Sequence, residues 1–378
     1  MREVPVEIER TFVGLDVHAR SVVACALDDR TGELSKARLV PENETVLAWL
    51  QQLAGPVAVV YEAGPTGYGL ARFLTGRGVR CVIAAPSKLH RPSGDRVKTD
   101  AKDALLLARL LRLGEITPVT VPSLAQEAAR DLVRVREDVR ADLMRARHRT
   151  SKLLLRQGIV WSGGTAWTGA HEQWLGQQRF ELAGLQAAYD TTLETVLLAT
   201  SRRARLDKAI VEMAHEPQWW PTVSRLQCLR GVSTLTAFGL AVEVGDWTRF
   251  SGSTIGAFLG LVPTESSSGE GRQQGSITKT GNTHARRLLV EAAWHHRRPY
   301  RPTKTMRDRW DLAPAAARAR GHAGNQRLHE RWVRFNERKK RTVIANVAVA
   351  RELAGWCWSL ATLTEDTPPA RGPRGGRR

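Results

Sequence analysis

Short apolar runs separated by polar turns dominate the first 120 residues. The runs predict five strands, over 11–17, 21–27, 33–40, 57–61 and 79–84. Helical spacing predicts three helices between and after them, over roughly 43–54, up to about 77, and near 99–113. Strands followed by strand–helix alternation are typical of an α/β domain, so we expect a sheet covered by helices.

A longer period begins at Leu124. Apolar residues then recur every three or four positions up to Leu153, and again from Leu182 to Met213. The spacing predicts two long helices joined by a Trp-rich loop, that is, a helical coiled-coil insertion in the form of an antiparallel arm. The apolar stripe would pack these helices together or onto another copy of the chain.

Two segments after the arm predict changes of direction. The Pro- and Trp-containing stretch 217–221 indicates a boundary, and 229–237 predicts a tight turn that opens a helix. The second segment is similar to a helix-hairpin-helix element, which would contact a nucleic-acid backbone near a helix start. Ser233 stands where the usual second Gly would be, and plain helix-turn-helix packing explains the segment equally well.

Residues 263–282 are polar and rich in Gly and Ser, which predicts a long loop. Small residues would let its backbone approach a phosphate, although a flexible surface loop has the same composition. The Gly-x-x-x-x-Gly-Lys-Ser/Thr order of a nucleotide P-loop is absent. An exposed Ser is a candidate nucleophile only if a base or metal activates it. His284, His295 and His296 have no evident Asp partner in the sequence.

Charge is distributed unevenly along the 378 residues. The formal charge is +19, yet residues 1–120 carry 16 Lys+Arg against 14 Asp+Glu, which leaves +17 for the remainder. Residues 286–341 hold 17 Lys+Arg and five Asp+Glu with aromatic residues between them, which favours a nucleic-acid surface over a plain charged helix. The candidate nucleic-acid contacts are Arg272, Lys279, Arg286, Arg287, Arg297, Arg298, Arg331 and Arg334.

Cysteine usage and hydropathy exclude several classes of protein. Four widely separated cysteines without a CxxC pair predict reduced thiols, and not a zinc site or a disulfide framework. No apolar run reaches about 18 residues, and the first residues lack a signal-peptide core. We therefore expect a cytoplasmic protein with no membrane span.

Four acidic residues suggest a metal site. Asp16 lies in a predicted strand and Glu62 at the end of another, where acids are depleted, and Asp100 and Asp103 stand three apart at a predicted helix start. Converging carboxylates repel one another unless a cation lies between them, and Mg²⁺ (or Mn²⁺) takes such oxygen ligands. Each residue taken alone is more simply an ordinary surface acid.

The acids, the arm and the Ser-Gly segment, in this order, resemble the DEDD transposases of the insertion-sequence-110 family, relatives of the Piv invertases. The motifs that carry the resemblance are 14–16, 61–67, 98–104, and 268–269 with 279–282. The resemblance implies an α/β ribonuclease-H-like (RuvC-like) catalytic domain over 1–122 and a coiled-coil arm over 123–216. It further implies a mainly α transposase domain over 217–365, and we expect a disordered basic tail over 366–378.

The resemblance also implies roles for individual residues. Asp16, Glu62, Asp100 and Asp103 would be catalytic metal ligands, and Ser268 would be the nucleophile, with Ser267 as the alternative in a run of three serines. The implied partners are donor and target DNA, an element-encoded guide RNA, and further copies of the chain in a dimer or tetramer. The implied setting is the nucleoid of a bacterial cytoplasm.

Two other functions are compatible with the residues. A metal-dependent nuclease or junction resolvase would use water as the nucleophile, with Ser268 as a phosphate contact. A non-catalytic nucleic-acid-binding protein would need the basic part but gives no reason for the four acids.

Overall fold

The computed structural model describes residues 9–90, 99–268 and 271–364. The chain divides into two compact units, Met1–Ser123 and Leu124–Arg378. Some segments of the sequence lie outside the described residues. They include part of the Pro-, Ser- and Gly-rich stretch before Asp100 and Asp103, the Gly269 of the Ser-Gly motif, and the tail expected to be disordered.

The first unit is a mixed α/β domain, which confirms the α/β prediction. Its strands are β1 (Thr11–Val17), β2 (Val22–Asp28), β3 (Leu34–Leu39), β4 (Val57–Glu62) and β5 (Arg80–Ala84). They form one sheet in the order β3-β2-β1-β4-β5, antiparallel from β3 to β1 and parallel from β1 to β5. The helices are α1 (Asn43–Leu50), α2 (Gly69–Gly76) and α3 (Asp100–Arg112).

Alternating side chains of the central strands build a core on each face of this sheet. Val13 and Leu15 of β1 pack with α1 and α2 on one face. Phe12 of β1 and Val60 of β4 pack with Leu107 of α3 on the other. The period of two in the sequence therefore assigns every second residue of β1 to the α3 face.

Close contact between β1 and α3 depends on a glycine. A Cβ built on Gly14 would overlap the carbonyl oxygen of Ala104 and lie 2.7 Å from the backbone nitrogen of Ala108. Only a residue without a side chain allows the helix backbone to lie this close to the strand. The start of α3 is fixed by Thr99, whose side chain caps the helix by accepting from the Lys102 N–H.

The second unit is mainly helical, as expected for the C-terminal region. Its helices are α4 (Leu124–Arg156), α5 (Gly169–Gln177), α6 (Ala183–Ala214), α7 (Trp220–Leu226), α8 (Thr234–Val244), α9 (Ile255–Phe258), α10 (Thr283–Ala293), α11 (Lys304–Trp310), α12 (Ala315–Glu337) and α13 (Thr342–Ala361). It has two strands, β6 (Pro263–Ser268) and β7 (Gly271–Ile277). Among the described residues, no helix is long and apolar enough to cross a membrane.

Helices α4 and α6 pack along each other in antiparallel fashion. Leu143 of α4 packs with Val196 of α6 in the middle of the pair, and Leu153 packs with Tyr189 further along. At the opposite end, Val133 belongs to the main core of the unit, which also contains residues of α7, α8, α10, α12 and α13. The long amphipathic pattern thus predicted both helices to within a few residues.

The prediction of a loop over 263–282 is wrong for most of its length. Strands β6 and β7 form an antiparallel pair in which Ser266 faces Gln273, Ser267 faces Arg272 and Ser268 faces Gly271. Backbone hydrogen bonds between the strands hold such a hairpin together without an apolar stripe, so the polar composition gave no strand signal.

The turn expected over 229–237 is present and opens a helix. Gly231 has a φ of 82°, and Ser233 caps α8 by accepting from the Thr236 N–H at 3.3 Å. The burial of residues in 229–237 and the capping of α8 by Ser233 therefore explain this segment as a turn that packs helices within the unit.

Candidate functional site

The parallel pairing of β1 with β4 places two of the candidate acids side by side. Leu15 pairs with Tyr61, and Asp16 and Glu62 are the next residues of the two strands. Gly14 and Val60, two residues earlier, face α3, so Asp16 and Glu62 lie on that same face. Neighbouring strands are about 4.8 Å apart, which lets carboxylates at these positions approach a common ion.

The other two acids lie in the first turn of α3. Asp100 is the first residue of the helix, and Asp103 follows three positions later on the same side. The contact of Ala104 with Gly14 brings this turn to the end of β1 where Asp16 lies. Acids are also favoured here because the N-terminal end of a helix carries partial positive charge.

His18 joins two of the acids into one group. Its Nε2 lies 3.1 Å from Asp16 Oδ2 and 4.0 Å from Asp100 Oδ1. One donor atom from each of the three residues lies within 4.8 Å of the others. Asp103 lies on α3 with Asp100, and Glu62 lies on β4 beside Asp16, but neither belongs to the group of three that is found among the described residues.

Sequence reasoning did not identify His18. The signal was available, because His18 follows Asp16 by two residues and strand periodicity puts such residues on one face. A hydrogen bond from the His18 N–H to the Ser21 carbonyl, 2.9 Å long, holds the turn between β1 and β2 and fixes where the ring can reach.

The chemistry of these donors suits a divalent cation. Carboxylate oxygens suit Mg²⁺ and Mn²⁺, and an imidazole nitrogen adds a ligand that transition metals accept. The side chains of Asp16, His18 and Asp100 are 22%, 54% and 51% exposed, so a phosphate group can reach them. The arrangement can therefore bind a cation and leave part of its surface open.

The motif over 61–67 has a structural anchor next to Glu62. The Tyr61 hydroxyl donates to the Gly67 carbonyl and accepts from the Ala71 N–H, each at 3.2 Å. Burial raises the pKa of this hydroxyl to about 12, so it stays protonated at neutral pH. Tyr61 thus ties the end of β4 to the start of α2 and holds the backbone that carries Glu62.

The serine matched to a nucleophile belongs to the second unit. Ser268 is the last residue of β6, and Ser267, the alternative, is the residue before it. The hairpin is followed by residues 278–282, where Gly281 has a φ of 69°. Arg286 holds this segment by donating from Nη1 to the Thr280 carbonyl at 2.8 Å and the Leu259 carbonyl at 2.9 Å.

A buried carboxylate lies beside the same segment. Glu243 of α8 is fully buried and accepts from Asn282 Nδ2 at 2.6 Å, from two nitrogens of Arg134 at 3.0 and 2.9 Å, and interacts with His284 Nδ1 at 3.1 Å. Burial alone would raise the pKa of this carboxyl, but the hydrogen bonds from His284, Arg134 and Asn282 outweigh burial and lower it to about 2. His284 therefore has an acidic partner, a Glu 41 residues away, where the sequence indicated no Asp.

His296 is placed where it cannot serve at a surface. It is fully buried, and burial lowers its pKa to about 3. The ring is therefore neutral at physiological pH and belongs to the interior of the second unit.

Several of the basic residues expected to contact nucleic acid are engaged in contacts within the unit, and several are exposed. Arg286 and Arg287 are engaged within the unit, Arg286 with two carbonyls and Arg287 with Glu137 and Glu291. Arg331 and Arg334 also have acidic neighbours. The exposed members are Lys279, Arg297, Arg298 and Arg334. The side chain of Arg272 lies outside the described part of the structure, although its backbone pairs with Ser267.

Two of the aromatic residues that lie between the basic residues of 286–341 are not available to contact nucleic acid. Trp332 is 2% exposed and Phe335 is 7% exposed, and both pack in the main core. Their spacing in the sequence reflects burial on one side of α12. Trp294 is 39% exposed and remains accessible to a base.

Two family models of transposases match the chain. A model described as a transposase, whose name joins DEDD with IS110, matches residues 13–158, and one described as the transposase IS116/IS110/IS902 family matches residues 223–310. The first match spans the four candidate acids, and the second spans the β6–β7 hairpin that carries Ser268.

Relatives that cover three quarters or more of the chain are also named transposases. The Sinorhizobium fredii protein y4qE, named as a transposase, is 37% identical over 369 residues, which cover 96% of this chain and 91% of that protein. The transposase for insertion sequence element IS1533 of Leptospira borgpetersenii is 32% identical, over 88% of this chain and 98% of its own length. The transposase for IS1111A of Coxiella burnetii is 25% identical, over 75% of this chain and 76% of its own length.

Proposed function

The chain belongs to the IS116/IS110/IS902 family of transposases, and we propose that it moves an insertion sequence with a divalent-metal site on its first unit and a serine nucleophile on its second. The observation that carries this proposal is the convergence of Asp16, His18 and Asp100 where β1 ends and α3 begins. Glu62 lies on β4, the strand next to β1, and Asp103 lies in the first turn of α3 with Asp100. These two residues complete the set of four acids.

The four carboxylates would hold Mg²⁺ or Mn²⁺. When bound, the cation would polarise a phosphoryl oxygen of DNA and offset the negative charge that develops during strand cleavage. The rigid contact of Gly14 with α3 supports this role, because it holds Asp16 and the first turn of α3 in a fixed relation. Catalytic geometry depends on such fixed positions.

Ser268 would attack the scissile phosphodiester. Its hydroxyl oxygen would form a bond to phosphorus as the bond to one deoxyribose oxygen breaks; the serine gives up its proton, and the departing hydroxyl takes one up. The resulting phosphoserine ester would conserve the energy of the broken bond for rejoining to a second DNA end. A position at the end of a strand, on a two-stranded sheet of polar residues, suits a nucleophile that must meet a DNA backbone.

The first unit would be a RuvC-like domain. A sheet that begins with three antiparallel strands and continues with two parallel ones, with a helix carrying acids against the central strand, supports this assignment. Helices α4 and α6 would form the arm, and the later helices the transposase domain. Active assemblies would be dimers or tetramers in which acids and serine come from different copies.

The substrates would be donor and target DNA, with an element-encoded RNA as guide. The surplus of +17 beyond residue 120 supports binding of more than one polyanion. Base pairing with an RNA would choose the sites, and exposed cations such as Arg297 and Arg298 would contact backbones.

Replacing Asp16 by Asn tests the metal site. Asp16→Asn should abolish DNA strand cleavage in Mg²⁺ and leave folding and DNA binding intact, because a partly exposed carboxylate next to other acids is not needed for packing. Cleavage of a labelled donor substrate is the measurement. Asp29→Asn, a change in the turn between β2 and β3, is the control and should retain activity. Parent-like cleavage by the Asp16→Asn protein would refute the assignment.

A further inference from the structure

We propose that His18 is a nitrogen ligand of the divalent cation, in addition to the four acids. This inference rests on the proposed metal site, because it assigns one more residue to the same ion. No acid of the set can provide what His18 provides, a neutral donor that binds through nitrogen.

The distances around Nε2 match those between ligands of one ion. Two ligands at a right angle on an octahedral ion, each about 2.1 Å from it, lie about 3.0 Å apart, and two opposite ligands lie about 4.2 Å apart. His18 Nε2 lies 3.1 Å from Asp16 Oδ2 and 4.0 Å from Asp100 Oδ1. Nε2 therefore already lies at ligand-like spacing from both carboxylates.

The backbone around His18 also holds its ring near Asp16. Asp16 and His18 flank Val17 at the end of β1, so both side chains project from the α3 face. The His18 N–H is bonded to the Ser21 carbonyl at 2.9 Å, which closes the turn into β2. The ring is thus held near Asp16 by local backbone structure and does not depend on a distant contact.

A nitrogen ligand changes which ion is preferred. Imidazole binds first-row transition metals more strongly than it binds Mg²⁺, whereas carboxylates accept Mg²⁺ and Mn²⁺ alike. His18 should therefore increase the affinity for Mn²⁺ relative to Mg²⁺. An oxygen ligand at the same position would reduce that preference.

Pulsed electron paramagnetic resonance of bound Mn²⁺ tests the proposal without reference to activity. The full chain, free of any histidine tag and of DNA, is loaded with one equivalent of Mn²⁺ at fixed pH. Directly coordinated imidazole gives a ¹⁴N modulation of the echo, which we expect in the parent protein and not in His18→Gln. His148→Gln, an exposed histidine of α4, is the matched control and should keep the modulation.

Calorimetric titration gives a second readout. His18→Gln should weaken Mn²⁺ binding at least about tenfold and Mg²⁺ binding less, because a metal-site residue is lost while the carboxylates remain. Circular dichroism of the variant checks that the fold is retained, and His18→Asn provides a second substitution if it is not.

The outcomes separate this inference from the proposed function. Bound Mn²⁺ without ¹⁴N modulation in the parent, together with loss of Mn²⁺ binding in Asp16→Asn, would overturn the role of His18 and leave the acidic site standing. Mn²⁺ binding that Asp16→Asn does not weaken would overturn the proposed metal site itself. Equal modulation in the parent and His18→Gln would assign the nitrogen to another residue and also refute the proposal.

Discussion

At the scale of single residues, the proposed metal site depends on a position that carries no functional group. Gly14 lets the backbone of α3 lie against β1, and the first turn of α3 carries Asp100 and Asp103. The sequence motif 14–16 therefore combines a packing requirement with a proposed metal ligand, Asp16. The glycine could be read from the sequence as part of the motif, but its reason lies in a contact with a helix 90 residues further along.

A methyl group at Gly14 should separate the strand from the helix. Gly14→Ala would overlap the Ala104 carbonyl, so we expect a loss of about 1–3 kcal/mol in unfolding free energy. Metal affinity should fall as well, because the acids of α3 move away from Asp16. Chemical denaturation measures the first effect and calorimetry the second. Gly69→Ala, at the start of α2 where a Cβ meets nothing within 4 Å, is the control and should not destabilise the protein. Equal stability of the two variants would contradict this account of Gly14.

At the scale of elements, local patterns predicted the strands and long helices, and long-range pairs escaped prediction. Strand β1 was predicted with its observed bounds because its apolar run is continuous, and α4 was predicted from a regular spacing. The β6–β7 hairpin was missed because its order comes from backbone pairing between polar residues. His18 and the Glu243–His284 pair were missed because a single sequence does not show which side chains meet after folding.

The Glu243 network joins three elements of the second unit. It connects Arg134 of α4 and Glu243 of α8 to Asn282, which also caps α10 by accepting from the Ala285 N–H at 2.9 Å. Since residues 278–282 follow directly from β7, the network anchors one end of the hairpin that carries Ser268. A buried carboxylate with so many donors is costly to disrupt.

Removing the charge of Glu243 should destabilise the second unit. Glu243→Gln leaves Arg134 and His284 facing an amide, and we expect a loss of about 3 kcal/mol in unfolding free energy. Glu212→Gln, which breaks an exposed pair with Lys208, should cost less than about 0.5 kcal/mol. Denaturant titration of both variants is the measurement, and similar losses would refute a special role for Glu243.

The same residue predicts a pH dependence. The pKa of Glu243 is about 2 in the folded protein, below the ordinary value of 4.5 for a Glu carboxyl, so its ionised form stabilises the fold. This contribution is fully present above about pH 4.5 and is lost as the pH falls toward 2. The stability of the parent should thus decrease over this range more than that of Glu243→Gln.

At the scale of the whole molecule, the two parts of the chain differ in net charge. The near-neutral first 120 residues contain the four candidate acids of the proposed metal site, and the remainder carries the +17 surplus. Composition alone predicted this division and a polyanionic partner. It did not predict which cations are accessible, because Arg286 and Arg287 are engaged in contacts within the second unit whereas Arg297 and Arg298 are exposed.

Recombination should require RNA. A guide would supply site choice, so ribonuclease treatment should abolish joining of defined donor and target DNA, and RNA transcribed from the noncoding flank of the element should restore it. Binding should also weaken steeply with salt, with a slope of about −0.9 per phosphate neutralised on duplex DNA and about −0.7 on single strands. Full activity and unchanged specificity after ribonuclease treatment would show that the protein chooses its sites alone.

The most direct test of the account is the identity of the covalent link to DNA. Recombination is stopped in mid-reaction with Mg²⁺ present, the protein–DNA adduct is digested, and the modified peptide is mapped by mass spectrometry. We predict a phosphodiester on Ser268, absent from Ser268→Ala and from Asp16→Asn but retained in Ser267→Ala, with DNA binding unchanged in all three variants. Cleavage by Ser268→Ala at nearly the parent rate, with no adduct on any serine, would contradict it and identify water as the nucleophile.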